Sequence, residues 1–117
     1  LSRAERCVFV AFDGAAARLR VRVMTGGLVD AVAPMAYTQE ASRFAEQIAA
    51  ARDIAGGRAV WAGIGAYRLT PAQTIENIQA ARRLGAAGVV LFSYDSLTGP
   101  SRGPEYLDQV GHAAFMP

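Results

Sequence analysis

The sequence predicts a parallel α/β fold built from repeated strand–helix units, and three observations carry that prediction. Three apolar runs of strand length are centred near Val32, Ala62 and Phe92, 30 residues apart each time. Both gaps between them hold apolar residues at helical spacing. Hydrophobic residues make up 52% of the 117-residue chain and charged ones 19%, which supplies a core and argues against disorder.

The first 28 residues allow two readings. Cys7 to Phe12 is strand-like. Arg18 to Val23 alternates with period two, as a half-exposed strand would, and Asp13-Gly14 would turn a hairpin between the two. Alternatively Ala15 to Met24 forms a short arginine-rich helix ending at Gly26-Gly27. The helix is preferred because a βαβ repeat needs one before Val29.

From there the elements follow in order. Val29–Met35 reads as a buried strand with a proline near its end. Phe44, Ile48, Ala51 and Ala55 mark the inner face of a helix that Thr38 would cap and Gly56-Gly57 would end. Glu40 suits the positive first turn of that helix. Ala59–Ile64 is the second strand, with Trp61 expected to pack between sheet and helices. Thr70-Pro71-Ala72-Gln73 combines a capping hydroxyl, a proline at the first helical position and a glutamine three residues after the cap. Ile75, Ile78, Ala81 and Leu84 then face the core, and Gly85 stops the helix. Gly88–Tyr94 is the third strand, a turn-rich loop spans Thr98–Pro104, and a closing helix over Glu105–Ala114 turns Tyr106, Leu107 and Val110 inward. A doubly wound sheet and a (β/α)8 barrel, at about 31 residues per unit, both fit this rhythm.

Composition narrows the function classes. Twelve arginines, no lysine and ten acids leave a net charge of +2, which makes no electrostatic case for nucleic acid or an acidic membrane. Without lysine there is no Walker-type phosphate loop. The single Cys7 excludes an internal disulfide and a cysteine-based metal cluster, and it reads as a small core residue. No metal or cofactor site is expected. No apolar run is long enough to span a bilayer, and the N-terminus lacks a signal-peptide layout. A first residue of Leu1 suggests that upstream sequence is missing.

In parallel α/β folds ligands meet the carboxyl ends of the strands. That rule selects Pro34–Thr38, Gly63–Arg68 and Ser93–Ser96, each with a tyrosine. Tyrosine rings with neighbouring hydroxyls and amides suit a sugar, which has apolar C–H faces and polar edges. The plainer reading is that these tyrosines close the top of the core with their hydroxyls in water. Gly63-x-Gly65 lacks the third glycine and immediate helix of a dinucleotide fingerprint, so close packing or a tight turn explains it better. Arg68 lies where it would meet an anion or a rim carboxylate. Asp95 is the one carboxylate at an expected strand end, as a base or, more simply, as a turn cap. His112, on the terminal helix, reads as a surface residue.

These strand ends carry a resemblance. Gly27–Thr38 (GLVDAVAPMAYT), Ala59–Leu69 (AVWAGIGAYRL) and Leu84–Leu97 (LGAAGVVLFSYDSL) resemble the C-terminal part of the family 10 glycosyl-hydrolase-like proteins. The likeness runs from about residue 26 to residue 97; residues 1–26 fit poorly, and residues 27–117 would be the barrel portion. Ala36 stands where many members carry Asn, and Asp13-Gly14 where they show an Asp-Trp pair. The resemblance implies about three βα units, strands six to eight, of a bacterial (β/α)8 barrel that cleaves peptidoglycan glycan strands and is exported or envelope-associated. Its acidic motif lies in the first half of that barrel, outside this sequence. Glycosidic cleavage uses two carboxyl groups, so this chain alone is expected to be inactive and to supply substrate-binding wall. Met35, Tyr37, Gly65, Tyr67, Ser93, Tyr94 and Asp95 are the candidate glycan-binding residues, with Asp95 the only catalytic candidate. Open strand edges would favour self-association. Two alternatives stand beside this reading: an inactive carbohydrate-binding or interaction fragment, and a doubly wound domain binding an anion at residues 63–68.

Overall fold

A computed structural model describes residues 7–11 by their backbone, and residues 30–93, 97–98 and 105–115 in full. Strands β1 (Cys7–Ala11), β2 (Ala31–Met35), β3 (Ala59–Ile64) and β4 (Gly88–Leu91) form one sheet in the order β1-β2-β3-β4. Every neighbouring pair is parallel, with Val8 beside Val32, Val32 beside Val60 and Ala62 beside Val89. Helices α1 (Ala41–Ala55) and α2 (Pro71–Arg83) connect the last three strands, and α3 (Glu105–Phe115) follows β4. The protein is therefore α/β, with parallel strands alternating with helices. The alternative hairpin and helix between Asp13 and Met24 fall outside the described residues.

Both connecting helices pack on one face of the sheet. α1 lies over β2 and β3, α2 over β3 and β4, and the two helices touch each other. Phe44 and Ile48 of α1, Ile64 of β3 and Ile78 of α2 meet there with no exposed surface. Each such side chain removed from water contributes about 2 kcal/mol of transfer free energy. Val60, Ala62 and Ile64 point into this layer, so the period of two sends Trp61 to the opposite face. Trp61 is 40% exposed, and its ring lies where a Cβ on Gly88 of β4 would stand. This corrects the expectation that Trp61 packs against the helices.

The helix signals fare unequally. The capping box of α2 forms in both directions: Gln73 N–H donates to Thr70 Oγ1 at 3.2 Å, and Thr70 N–H donates to Gln73 Oε1 at 2.9 Å. Gly56 ends α1 in the left-handed region at φ 58°, where a residue with a Cβ would be strained. Thr38, however, does not cap α1. The N-cap residue is Glu40, whose N–H donates to Thr38 Oγ1 at 3.2 Å and makes a turn just ahead of the helix. β4 ends at Leu91, sooner than the apolar run Gly88–Tyr94 suggests, and the Phe92–Ser93 peptide is cis.

Candidate functional site

The carboxyl ends of β2, β3 and β4 meet at one rim, and backbone bonds hold them in register. Ala36 N–H donates to the Gly63 carbonyl at 3.2 Å, Phe92 N–H to that of Ile64 at 3.0 Å, and Tyr67 N–H to that of Phe92 at 3.1 Å. Met35 ends β2 half-buried, and Tyr37 turns back over β3. A Cβ on Gly65 would lie 2.9 Å from Tyr37 Cβ, and one on Gly63 only 2.7 Å from the Pro34 carbonyl oxygen. Gly65 has φ −79°, so space and not backbone conformation requires glycine there. The Gly63-x-Gly65 pair is thus a seat for the Tyr37 ring.

Beyond β3, Ala66–Arg68 forms one 3₁₀ turn. Beneath it sits the hydroxyl of Tyr106, brought by α3. That hydroxyl lies 3.0 Å from the Leu69 carbonyl oxygen and 3.2 Å from that of Ala66, and it also meets the Thr74 hydroxyl. Tyr106 has a single proton to give to the carbonyls, so Thr74 donates to Tyr106. Thr74 is completely buried by this contact, although its hydroxyl marks it as a surface residue by type. The clasp fixes the turn and leaves Tyr67 44% exposed at the rim, beside an exposed Arg68.

Three aromatic rings gather here. Tyr37 meets Tyr67 edge to face at 6.2 Å between centroids, and meets Phe92 at 5.1 Å. The Tyr37 hydroxyl is buried without a hydrogen-bond partner among the described residues. Burial foremost, and the neighbouring Tyr67 second, push its pKa up to about 12. The hydroxyl is therefore a neutral donor at any physiological pH. Ser93 is exposed just past β4. The structure thus brings together Met35, Tyr37, Gly65, Tyr67 and Ser93, whereas Tyr94 and Asp95 lie outside the described residues.

Sequence reasoning missed Phe92 as the third ring of the cluster, along with a polar stripe next to it. Gln39, Arg43 and Gln47 line a depression beside Tyr37 with Glu40 and Arg68. The four-residue spacing of Arg43 and Gln47 on one face of α1, with Gln39 four residues ahead of them outside the helix, was the available signal. Arg82 is exposed, donates to the Ala114 carbonyl and lies over the Phe115 ring. His112 is exposed. Among the described residues no group of three or more His, Cys, Asp or Glu is placed to hold a metal ion. No helix among them is long and apolar enough to cross a membrane. Neither a protein-family model nor a curated protein matches this chain.

Proposed function

We propose that this chain is the glycan-binding portion of a (β/α)8 barrel of the kind seen in the family 10 glycosyl-hydrolase-like proteins. In this reading β2, β3 and β4 are strands six to eight. The observation that carries it is the rim cluster, an exposed Tyr67 ring braced edge to face by a half-buried Tyr37. An exposed ring beside hydroxyl groups offers a sugar a flat apolar surface for its C–H face and polar partners at its edge. The strand order supports the barrel. Four sequential parallel strands with both connecting helices on one face are the order an arc of a barrel has, and no reversal of the kind that marks a doubly wound sheet's switch point falls among them.

The chain's part is binding. Glu40 is the carboxylate at this rim among the described residues, and it faces Arg43 across 3.9 Å on the exposed start of α1. A glycosidase needs a second carboxyl group across the bond. Glycan strands such as those of peptidoglycan, met in the cell envelope or outside the cell, are the substrate class this reading favours. The anion-binding alternative at residues 63–68 has less support, because the Tyr37 ring packs against the backbone of Gly63 and Gly65. Titration calorimetry with β-1,4-linked N-acetylglucosamine oligomers tests the proposal. Saturable binding is expected, weakened about tenfold by Tyr67→Ala, which corresponds to about 1.4 kcal/mol. Binding that ignores Tyr67→Ala, or no binding, would reject it.

A further inference from the structure

Beside the aromatic cluster lies a depression of about 420 Å³, walled by Tyr37, Gln39, Glu40, Arg43, Gln47 and Arg68. Its size falls within the range of small-ligand sites and admits a single sugar unit. Two of its wall residues hold polar atoms closed off from solvent, Tyr37 Oη and Gln47 Oε1, so the accessible groups of the wall include the exposed Arg43 and Arg68. Two guanidinium groups against one carboxylate give the walls a surplus positive charge. The depression also has a fixed edge, since Gln39 Nε2 donates to the Arg68 carbonyl at 3.1 Å and ties the start of α1 to the Tyr67 turn.

We infer that this depression is a subsite for a carboxylate-bearing sugar unit, adjoining the Tyr67 surface. The inference rests on the glycan-binding reading of the rim and adds a charge preference to it. Arg43 and Arg68 pair with the carboxylate, with the planar two-pronged geometry that guanidinium offers. A neutral unit fills the same space and leaves the positive surplus unpaired. Preference for the acidic unit therefore weakens as salt screens the exposed arginines.

Two probes test this by calorimetry: the N-acetylglucosamine tetramer, and the same tetramer with its C6 hydroxymethyl groups oxidised to carboxylates. The acidic tetramer is expected to bind about tenfold more tightly at low ionic strength, the order of effect of one well-made charge-assisted contact. Arg43→Gln and Arg68→Gln should each collapse that ratio towards one. Arg83→Gln, an exposed charge change on α2, should preserve it. Equal affinity for the two tetramers, or a preference that survives both rim substitutions, overturns the subsite while leaving the rim reading intact. Failure of both tetramers to bind overturns the rim reading itself.

Discussion

Two strand ends carry tyrosines that look alike in sequence and differ in the folded chain. Tyr37 follows β2 by two residues and Tyr67 follows β3 by three. Tyr37 lies down on two glycines of the neighbouring strand, with its hydroxyl buried and its ionisation pushed up to about 12. Tyr67 rides on a turn clasped from below by Tyr106 and keeps 44% of its surface exposed. One ring is wall and the other is contact surface. The difference arises in what each ring leans on, and in both cases that partner is remote in sequence.

The comparison breaks most visibly at Gly65. Gly65→Val places a branched side chain where Tyr37 already sits, and overpacking of this kind costs about 3 kcal/mol. Urea unfolding should show that loss. The double variant Gly65→Val/Tyr37→Ala should be less destabilised than the sum of the two single variants, because the clash is with that ring. Simple additivity would mean that Gly65 is constrained by something other than Tyr37.

Tyr106→Phe probes the other strand end. It leaves the buried Thr74 hydroxyl and the carbonyls of Ala66 and Leu69 without their shared partner, at a cost of about 2 kcal/mol. The same variant should also lower glycan affinity, since the turn holding Tyr67 loses its support. Unchanged affinity alongside reduced stability would show that the turn holds its shape without the clasp.

The smallest effect is in the pH dependence. Tyr37 has a folded pKa raised from 10.0 to about 12. Below pH 10 the folded and unfolded chains both hold the proton and stability is unaffected. Between pH 10 and about 12 the unfolded chain releases its proton first, so stability falls as pH rises. Ultraviolet titration should show one tyrosine ionising near pH 12 in the folded protein, and Tyr37→Phe should remove that step. If the step persists in the variant, the buried hydroxyl belongs to another residue.

Much of this architecture was legible where the signal is local. The Thr70–Gln73 capping box, the stop at Gly56 and the apolar faces of α1 and α2 each depend on residues within a few positions of one another. The rim tyrosines were legible because strand ends can be counted from the 30-residue rhythm. Their unequal burial was not, since Gly63 and Gly65 make room for a ring that arrives from a different strand. Thr74 was unreadable for the same reason, its partner Tyr106 standing 32 residues away. Trp61 was misjudged although its neighbours Val60 and Ala62 were available. Its place inside a strand points to packing against the helix layer, but strand alternation decides the face.

Trp61, on the face of β3 away from the helices, sets the most direct test, because it and Tyr67 at the rim are both large, exposed rings. A nuclear magnetic resonance titration with the N-acetylglucosamine tetramer follows both in one sample. If the rim is the glycan site, the Tyr67 and Ser93 signals shift and saturate while the Trp61 indole stays in place. Shifts centred on Trp61 with an unmoved Tyr67 would contradict the account.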